Sequence, residues 1–310
     1  GEFQVNTYVN GDQKYPEVAG YGQSNFVVTW YDEDRGSGDI YAQNFNILGD
    51  PLGSEYRVNT TTYNTQAYPS VTTLEDDSYV ITWHSRYQDT GSSDYGVYGQ
   101  HYSAAGEPQG DEFLVNTTIS GQQHYPSIAS LDDGGFVVTW RDDNGATDSR
   151  EGSGIDVFGQ RFDANSVKVG DEFLINADAD SGSQYEPSVT GLGNGNFVVT
   201  WRDDQGGSHD KNENDTTTGH MTDIRAQIFT TTATDDNGDV IPTPQVSGGD
   251  FRVNEESGTY TYPYHNQYEP FVTSFDDGSF VVSYSSYYGD NQHSYAIMAQ
   301  RFDASGTPVG

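Results

Sequence analysis

Apolar residues recur along the chain in short runs, each bounded by clusters of Gly, Asp, Asn and Ser. The fullest run, Phe136-Val137-Val138-Thr139-Trp140, is apolar on both faces, as a strand covered on both sides requires. Small residues mark the run before it, Ala129 and Ser130 here and Thr190 and Gly191 in a later copy, which suits a crowded position near a ring axis.

These runs belong to one cassette present five times. A proline is followed 14 residues later by an aromatic: Pro16 and Trp30, Pro69 and Trp83, Pro126 and Trp140, Pro187 and Trp201, Pro270 and Tyr284. Three residues before each proline stands a glutamine, at Gln13, Gln66, Gln123, Gln184 and Gln267. Farther on comes a Gly/Ala-Gln-x-aromatic element, as in Ala42-Gln43-Asn44-Phe45 and Gly159-Gln160-Arg161-Phe162, and then an aromatic-x-Val/Ile-Asn element, as in Tyr56-Arg57-Val58-Asn59. Repetition at this period is the signature of a repeat architecture.

Each cassette holds four β-rich runs, about residues 127–131, 136–140, 157–162 and 172–176 in the third copy, and predicts a four-stranded antiparallel meander. Asp132-Asp133-Gly134-Gly135 is a hairpin turn of the Asp-Gly kind, and Glu75-Asp76-Asp77 and Asp276-Asp277-Gly278 match it. The whole predicts an all-β, single-domain, five-bladed β-propeller over residues 1–310, with blades at about 16–59, 69–116, 126–176, 187–254 and 270–310 plus 1–6. Glu2-Phe3-Gln4-Val5-Asn6 reads as a fourth strand without predecessors, and Thr307-Pro308-Val309-Gly310 stops where a fourth strand would begin. Pairing the two ends closes the ring and leaves no edge there.

Because strand direction alternates, the loops between second and third strands share one face with the connectors between blades. The opposite face is expected to carry short turns, residues 230–249 excepted. On the first face, blades one, three and four place an Asp two residues after the Trp and another four before the Gln: Asp32 with Asp39, Asp142 with Asp156, Asp203 with Asp223. Carboxylates where a loop leaves and re-enters a sheet can converge on a hard cation, and calcium, with its six to eight oxygen ligands, is the expected cofactor. Solvated acids in Asp/Gly turns explain them equally. Asp235, Asn237 and Asp239 space oxygen ligands as the start of a calcium loop does, without the downstream Glu of an EF-hand. Blade five instead crowds its loops with rings: Tyr260, Tyr262, Tyr264, His265 and Tyr268, then Tyr287, Tyr288, His293 and Tyr295. Tyrosine offers a flat apolar face and a hydroxyl, which suits sugars or peptides as partners.

Charge narrows the partners. Lys plus Arg number 13 against 47 Asp plus Glu, a net charge of −34, which excludes attraction to nucleic acid or an anionic membrane surface and favours cations. The chain has no cysteine, so disulfides, thiolate metal sites and cysteine nucleophiles are excluded. No apolar run is long enough to cross a bilayer as a helix. The seven histidines lack metal-ligand spacing. Asn59-Thr60-Thr61 and Asn116-Thr117-Thr118 match a glycosylation pattern but lie in the strand-ending element, where repeated Asn and Gln are expected to satisfy backbone groups between blades.

The elements Glu112–Thr117, Phe136–Trp140 and Gly159–Ala164 resemble repeats of very large secreted bacterial proteins of the RTX and cadherin-like adhesin type. That resemblance covers the chain and implies an extracellular or cell-surface setting, calcium dependence and flanking domains of a longer parent. The nonapeptide calcium repeats of that family are absent, so no calcium ligand carries over from it. The expectation is a non-catalytic adhesion module that binds carbohydrate or peptide on a cell or biofilm surface, and not an enzyme. A structural spacer or protein-interaction domain is one alternative. A glycoside hydrolase or lyase is another, weakened because no pair of acids stands apart from the rest.

Overall fold

The computed structural model describes residues 1–88, 94–143, 154–176, 182–204, 222–234, 240–244, 249–254, 265–288 and 294–310. All regular structure among them is β, in five sheets. Blade one runs β1 (Gln13–Tyr21), β2 (Asn25–Asp32), β3 (Asp39–Asn46), β4 (Tyr56–Arg57). Blade two is β5 (Gln66–Thr73), β6 (Tyr79–Arg86), β7 (Tyr95–Tyr102), β8 (Phe113–Leu114), and blade three is β9 (Gln123–Ser130), β10 (Phe136–Asp142), β11 (Asp156–Phe162), β12 (Lys168–Leu174). Blade four contains β13 (Ser183–Gly193), β14 (Asn196–Asp204), β15 (Thr222–Thr234), β16 (Val240–Pro244), β17 (Phe251–Arg252), and blade five β18 (His265–Ser274), β19 (Phe280–Tyr288), β20 (Ser294–Phe302). Within each sheet, strands neighbour in chain order, except that β17 of blade four pairs with β15, and the pattern is the antiparallel meander of a five-bladed β-propeller. Contacts group the chain into two compact units, Gly1–Trp140 with Gln160–Glu172, and Arg141–Gly159 with Phe173–Gly310.

The second strand of each blade is the core strand, as its two-sided apolar pattern predicts: Trp83, Trp140 and Trp201 are completely buried and Trp30 nearly so. Fourth strands are mostly only two residues long, and what fixes them is a ring planted on the following blade. Tyr56 tilts against Tyr102 of the stacked pair Tyr79–Tyr102, and Phe113 against Phe162 of Phe136–Phe162, whose rings stack at 4.9 Å and 8°. Phe173 meets Phe229 of Phe197–Phe229, and Phe251 meets Phe302 of Phe280–Phe302, at 5.5 and 5.4 Å. Such ring contacts contribute about 0.5–1.5 kcal/mol each beyond area burial. They also account for the Gly/Ala before the repeat Gln. A Cβ on Gly99 would stand 2.6 Å from Phe113, and one on Gly159 2.9 Å from Phe173.

The repeat Asn caps the same joint. Asn59, Asn116, Asn176 and Asn254 accept the N–H of Ile40, Val97, Val157 and Ile224 at 2.7–2.8 Å. Asn59, Asn116 and Asn176 also donate to Gln66, Gln123 and Gln184 of the next first strand. Gln43, Gln100, Gln160 and Gln227 donate to backbone carbonyls of their own blades, while Asn59, Asn116, Gln66 and Gln123 donate to carbonyls of the connectors between blades. Asn59 and Asn116, at 1% and 0% exposure, are closed to glycosylation.

Two expectations need correction. Residues 230–249 are not simply a long loop: β15 runs on to Thr234 and β16 returns against it, while β17, the strand of the repeat, pairs with Arg225 and Ala226. Nor do residues 2–6 form a strand, and blade five contains three. Phe3 sits 5.3 Å from Phe45 of the Phe26–Phe45 stack, Asn6 donates to Gln13, and the Thr7 N–H donates to Glu55, so the segment makes a fourth strand's contacts with the blade that follows it. The backbone share of such a joint is small, two residue pairs in blade one, so side chains set its position. On β20, Ile297 is 77% exposed where Ile40, Val97, Val157 and Ile224 are fully buried.

Asn176→Ala removes an acceptor from the buried Val157 N–H and a donor from the joint. We expect a loss of about 3 kcal/mol in urea denaturation, given the cost of unsatisfied buried groups; a loss below about 1 kcal/mol would show that water replaces the amide.

Candidate active site

The prolines that define the repeat also shape its most unusual backbone. A proline offers no N–H to the sheet ladder, and the pairing of first and second strands jumps there, between Lys14 and Glu17, Ala67 and Ser70, Tyr185 and Ser188, and Tyr268 and Phe271. In every blade the residue before the proline takes a left-handed conformation: Tyr15 (φ 55°), Tyr68 (54°), Tyr125 (53°), Glu186 (57°) and Glu269 (52°). Non-glycine residues there cost of order 1 kcal/mol or more each, and such strain gathers where a side chain must be aimed.

In the first unit this position carries rings. Tyr15 and Tyr68 stack at 4.1 Å with their hydroxyls 2.9 Å apart, and Tyr125 meets Tyr68 edge-on at 4.5 Å. Beside them Glu17 is open to water, yet the protein packed around its carboxyl pushes its pKa up.

In the second unit the same position carries two carboxylates. The Glu269 N–H donates to Glu186 Oε2 at 2.8 Å, and Arg202 Nη1 stands 3.2 Å from Glu186 Oε1. The Arg202 guanidinium lies over the rings of both Tyr185 and Tyr268, 4.5 and 5.3 Å from their centroids. Tyr295 extends the aromatic surface, 6.3 Å from Tyr268 and 4.9 Å from Tyr287. Two carboxyl groups on adjacent first strands, with a cation and flat rings, are the components of acid–base chemistry on a ring-shaped polar substrate.

Sequence reasoning missed Glu186 and Glu269. The available signal was the residue before the repeat proline, tyrosine in three blades and glutamate in two. Of the tyrosines singled out in the sequence, Tyr268, Tyr287 and Tyr295 belong to this cluster. His265 and Tyr288 are backbone partners at the end of the β18–β19 ladder, and Tyr260, Tyr262 and Tyr264 lie outside the described residues.

The paired aspartates sit where expected and are engaged within the protein. Asp32 faces Asp39 across β2 and β3, and Asp203 faces Asp223 across β14 and β15. Asp39, Asp156 and Asp223 each accept from the repeat Asn, at 2.7, 2.9 and 2.9 Å, and Asp32 accepts the N–H groups of Asp34 and Arg35. Arg252 approaches Asp223 at 3.2 Å, while Asp142 is buried at the end of β10. Among the described residues no group of three or more His, Cys, Asp or Glu is placed to hold a metal ion. Asp235, Asn237 and Asp239 are outside the described residues.

Burial pushes the pKa values of Asp39 and Asp203 up, against the hydrogen bonds from Asn59 and Gln184 that favour the charged form. Arg225, 3.8 Å from Asp203, favours its charged form less than the Gln184 hydrogen bond does, and its guanidinium is bonded to Asp250 at 2.5 and 2.6 Å.

No protein-family model matches the chain, and no curated protein matches it. Solved structures do. The GH93 α-L-arabinofuranosidase of Fusarium graminearum in complex with arabinobiose is similar at TM-score 0.55 and 12% identity, over 92% of this chain and 80% of that one. The same organism's enzyme with an iminosugar inhibitor gives TM-score 0.54 at 12% identity, covering 95% and 82%. A Dyadobacter fermentans protein of unknown function gives 0.52 at 11% identity, covering 95% and 80%. At such identities the likeness shows the fold. Against the expectations of a non-catalytic, adhesin or RTX-type adhesion module and of a chain that is not an enzyme, the neighbours named here with a stated activity are glycoside hydrolases.

A folded-state pKa above the unfolded value means that the native state binds the proton more tightly, so stability falls as pH rises between the two values. Asp203→Asn should therefore flatten the decline in melting temperature as pH is raised from about 4 to about 6. Parallel curves for mutant and wild type would show that Asp203 ionises without cost.

Proposed function

We propose that this chain is a glycoside hydrolase whose catalytic carboxyl groups are Glu186 and Glu269. The observation that carries the reading is their placement on equivalent strained positions of neighbouring first strands, joined by the hydrogen bond from the Glu269 N–H to Glu186. Glycosidic cleavage needs one carboxyl group to protonate the departing oxygen and a second, as carboxylate, to act at the anomeric carbon or on the water that attacks it. Glu186, whose charge is met by Arg202 and an amide N–H, suits the carboxylate role. Arg202 pairs with Glu186 and not with Glu269, which leaves the acid role to Glu269. Its proton goes to the leaving alcohol as the C–O bond breaks, and water supplies the hydroxyl that completes the product. Tyr268, Tyr287 and Tyr295 give the sugar ring a flat apolar surface. A net charge of −34 favours neutral over anionic glycans. The similarity to arabinofuranosidases of the same fold makes α-L-arabinofuranosides the first substrates to assay.

Glu186→Gln and Glu269→Gln should each lower kcat by about 10²–10⁴-fold on an aryl glycoside or oligosaccharide that the wild type cleaves, with melting temperature unchanged. Tyr268→Ala should act mainly on KM. Full activity in either glutamine variant, or no turnover by the wild type across a broad panel of neutral glycans, would overturn the assignment.

A further inference from the structure

Comparing the blades with one another exposes a place where one departs from its siblings in a chemically pointed way. In blades two, three and five the residue after the repeat Gln reaches the turn between the first two strands. In blade three it is Arg161, which forms an ion pair with Asp133 of that turn. In blade five it is Arg301, which donates to Ser279 at 3.4 Å; hydrogen bonds from Ser279 hold the turn acid Asp277 below its ordinary pKa, and the charge of Arg301 adds to them. Blade two keeps the acid, Asp76, and the serine, Ser78, but has His101 where blades three and five have arginine; blades one and four have Asn44 and Ile228 there and no acid in the turn. Beside this turn lies a hollow of about 410 Å³, lined by Asp76, Ser78, His101, Ser103, Gln109 and Asn165 among others.

The hydrogen bonds define the charge of this hollow. Ser78 N–H and Oγ–H both donate to Asp76 Oδ1, at 3.0 and 2.5 Å, and hold that carboxyl below its ordinary pKa. Since the Ser78 hydrogen is committed to Asp76, its oxygen accepts from His101 Nε2 at 2.9 Å. His101 Nδ1 is then the acceptor for Ser166 Oγ at 3.3 Å, so both ring nitrogens are used by a neutral imidazole. Burial lowers the His101 pKa in the same direction. The hollow therefore contains an ionised carboxylate, neutral hydroxyls and amides, and no formal positive charge. Among the described residues no lysine or arginine is ion-paired with Asp76.

We infer that the blade-two hollow is a binding site for a small organic cation with a guanidinium or primary ammonium head, which takes the place that Arg161 and Arg301 fill in their own blades. The carboxylate of Asp76 receives the head group, and Ser103, Gln109 and Asn165 accept its remaining N–H groups. The protein's charge of −34 raises the local concentration of such ligands. This site is separate from Glu186 and Glu269 and stands whether or not those residues cleave glycosides.

Agmatine titrated into the whole protein, followed by calorimetry, tests the assignment. We expect saturable one-to-one binding to the wild type. A tenfold or greater loss is expected in Asp76→Asn, and the same loss in His101→Arg, which refills the hollow with the protein's own guanidinium and should raise the melting temperature. Wild-type affinity in a folded His101→Arg variant would overturn the proposal. Binding of glucose as tight as agmatine would overturn it in favour of a neutral polyol site. Agmatine binding abolished by equimolar sodium or calcium would show an inorganic cation site instead. If His101→Arg fails to fold, Asp76→Asn decides: unchanged agmatine binding there overturns the site.

Discussion

The architecture depends on a single sort of joint, in which an aromatic side chain at the end of one blade lies on the stacked rings of the next. In blade one the fourth strand shares only two residue pairs with its own sheet, too few to hold a chain segment against its conformational entropy. The ring adds directional packing, and the small residue opposite it, Gly99 or Gly159, clears the space the ring needs. The capping Asn then satisfies a backbone N–H that the short strand leaves over. The invariant features of the cassette, its terminal aromatic and Asn and its internal Gly/Ala-Gln, are parts of this joint.

That dependence explains how far the sequence could be read. Blade number, strand order and the buried tryptophans follow from positions repeated at constant spacing, since an interaction present five times leaves five copies of its signature. The junction role of Gln and Asn was legible for the same reason. The fate of residues 2–6 was not: pattern identifies them as a fourth strand, but their contacts are made through Phe3, Asn6 and Thr7 with blade one and not through a ladder. Residues 230–249 misled because an inserted hairpin looks like a polar loop where it interrupts the repeat.

The candidate site was missed because attention to repeated features passes over departures from them. Asp32, Asp39, Asp203 and Asp223 recur, and recurrence marked them as candidate metal ligands, yet their partners are the Asn, Gln and Arg side chains of the scaffold. Glu186 and Glu269 replace tyrosine at a position whose backbone is strained in every blade. In a symmetric framework, chemistry that must happen once needs residues that break the symmetry, whereas scaffold roles can be filled alike in all copies. His101 obeys the same logic, as the odd residue in a clasp that two other blades close with arginine.

The overlapping joint also bears on how such a chain grows. Each joint is divided between two consecutive blades, with its ring at the end of one and the receiving pair inside the next. A tandem duplication of a whole cassette, cut at any point, restores one complete joint at each new boundary, because every copy carries both a donor ring and an acceptor stack. The genetic unit can thus stand out of phase with the sheet it encodes, and copies can be gained or lost without any new contact having to arise.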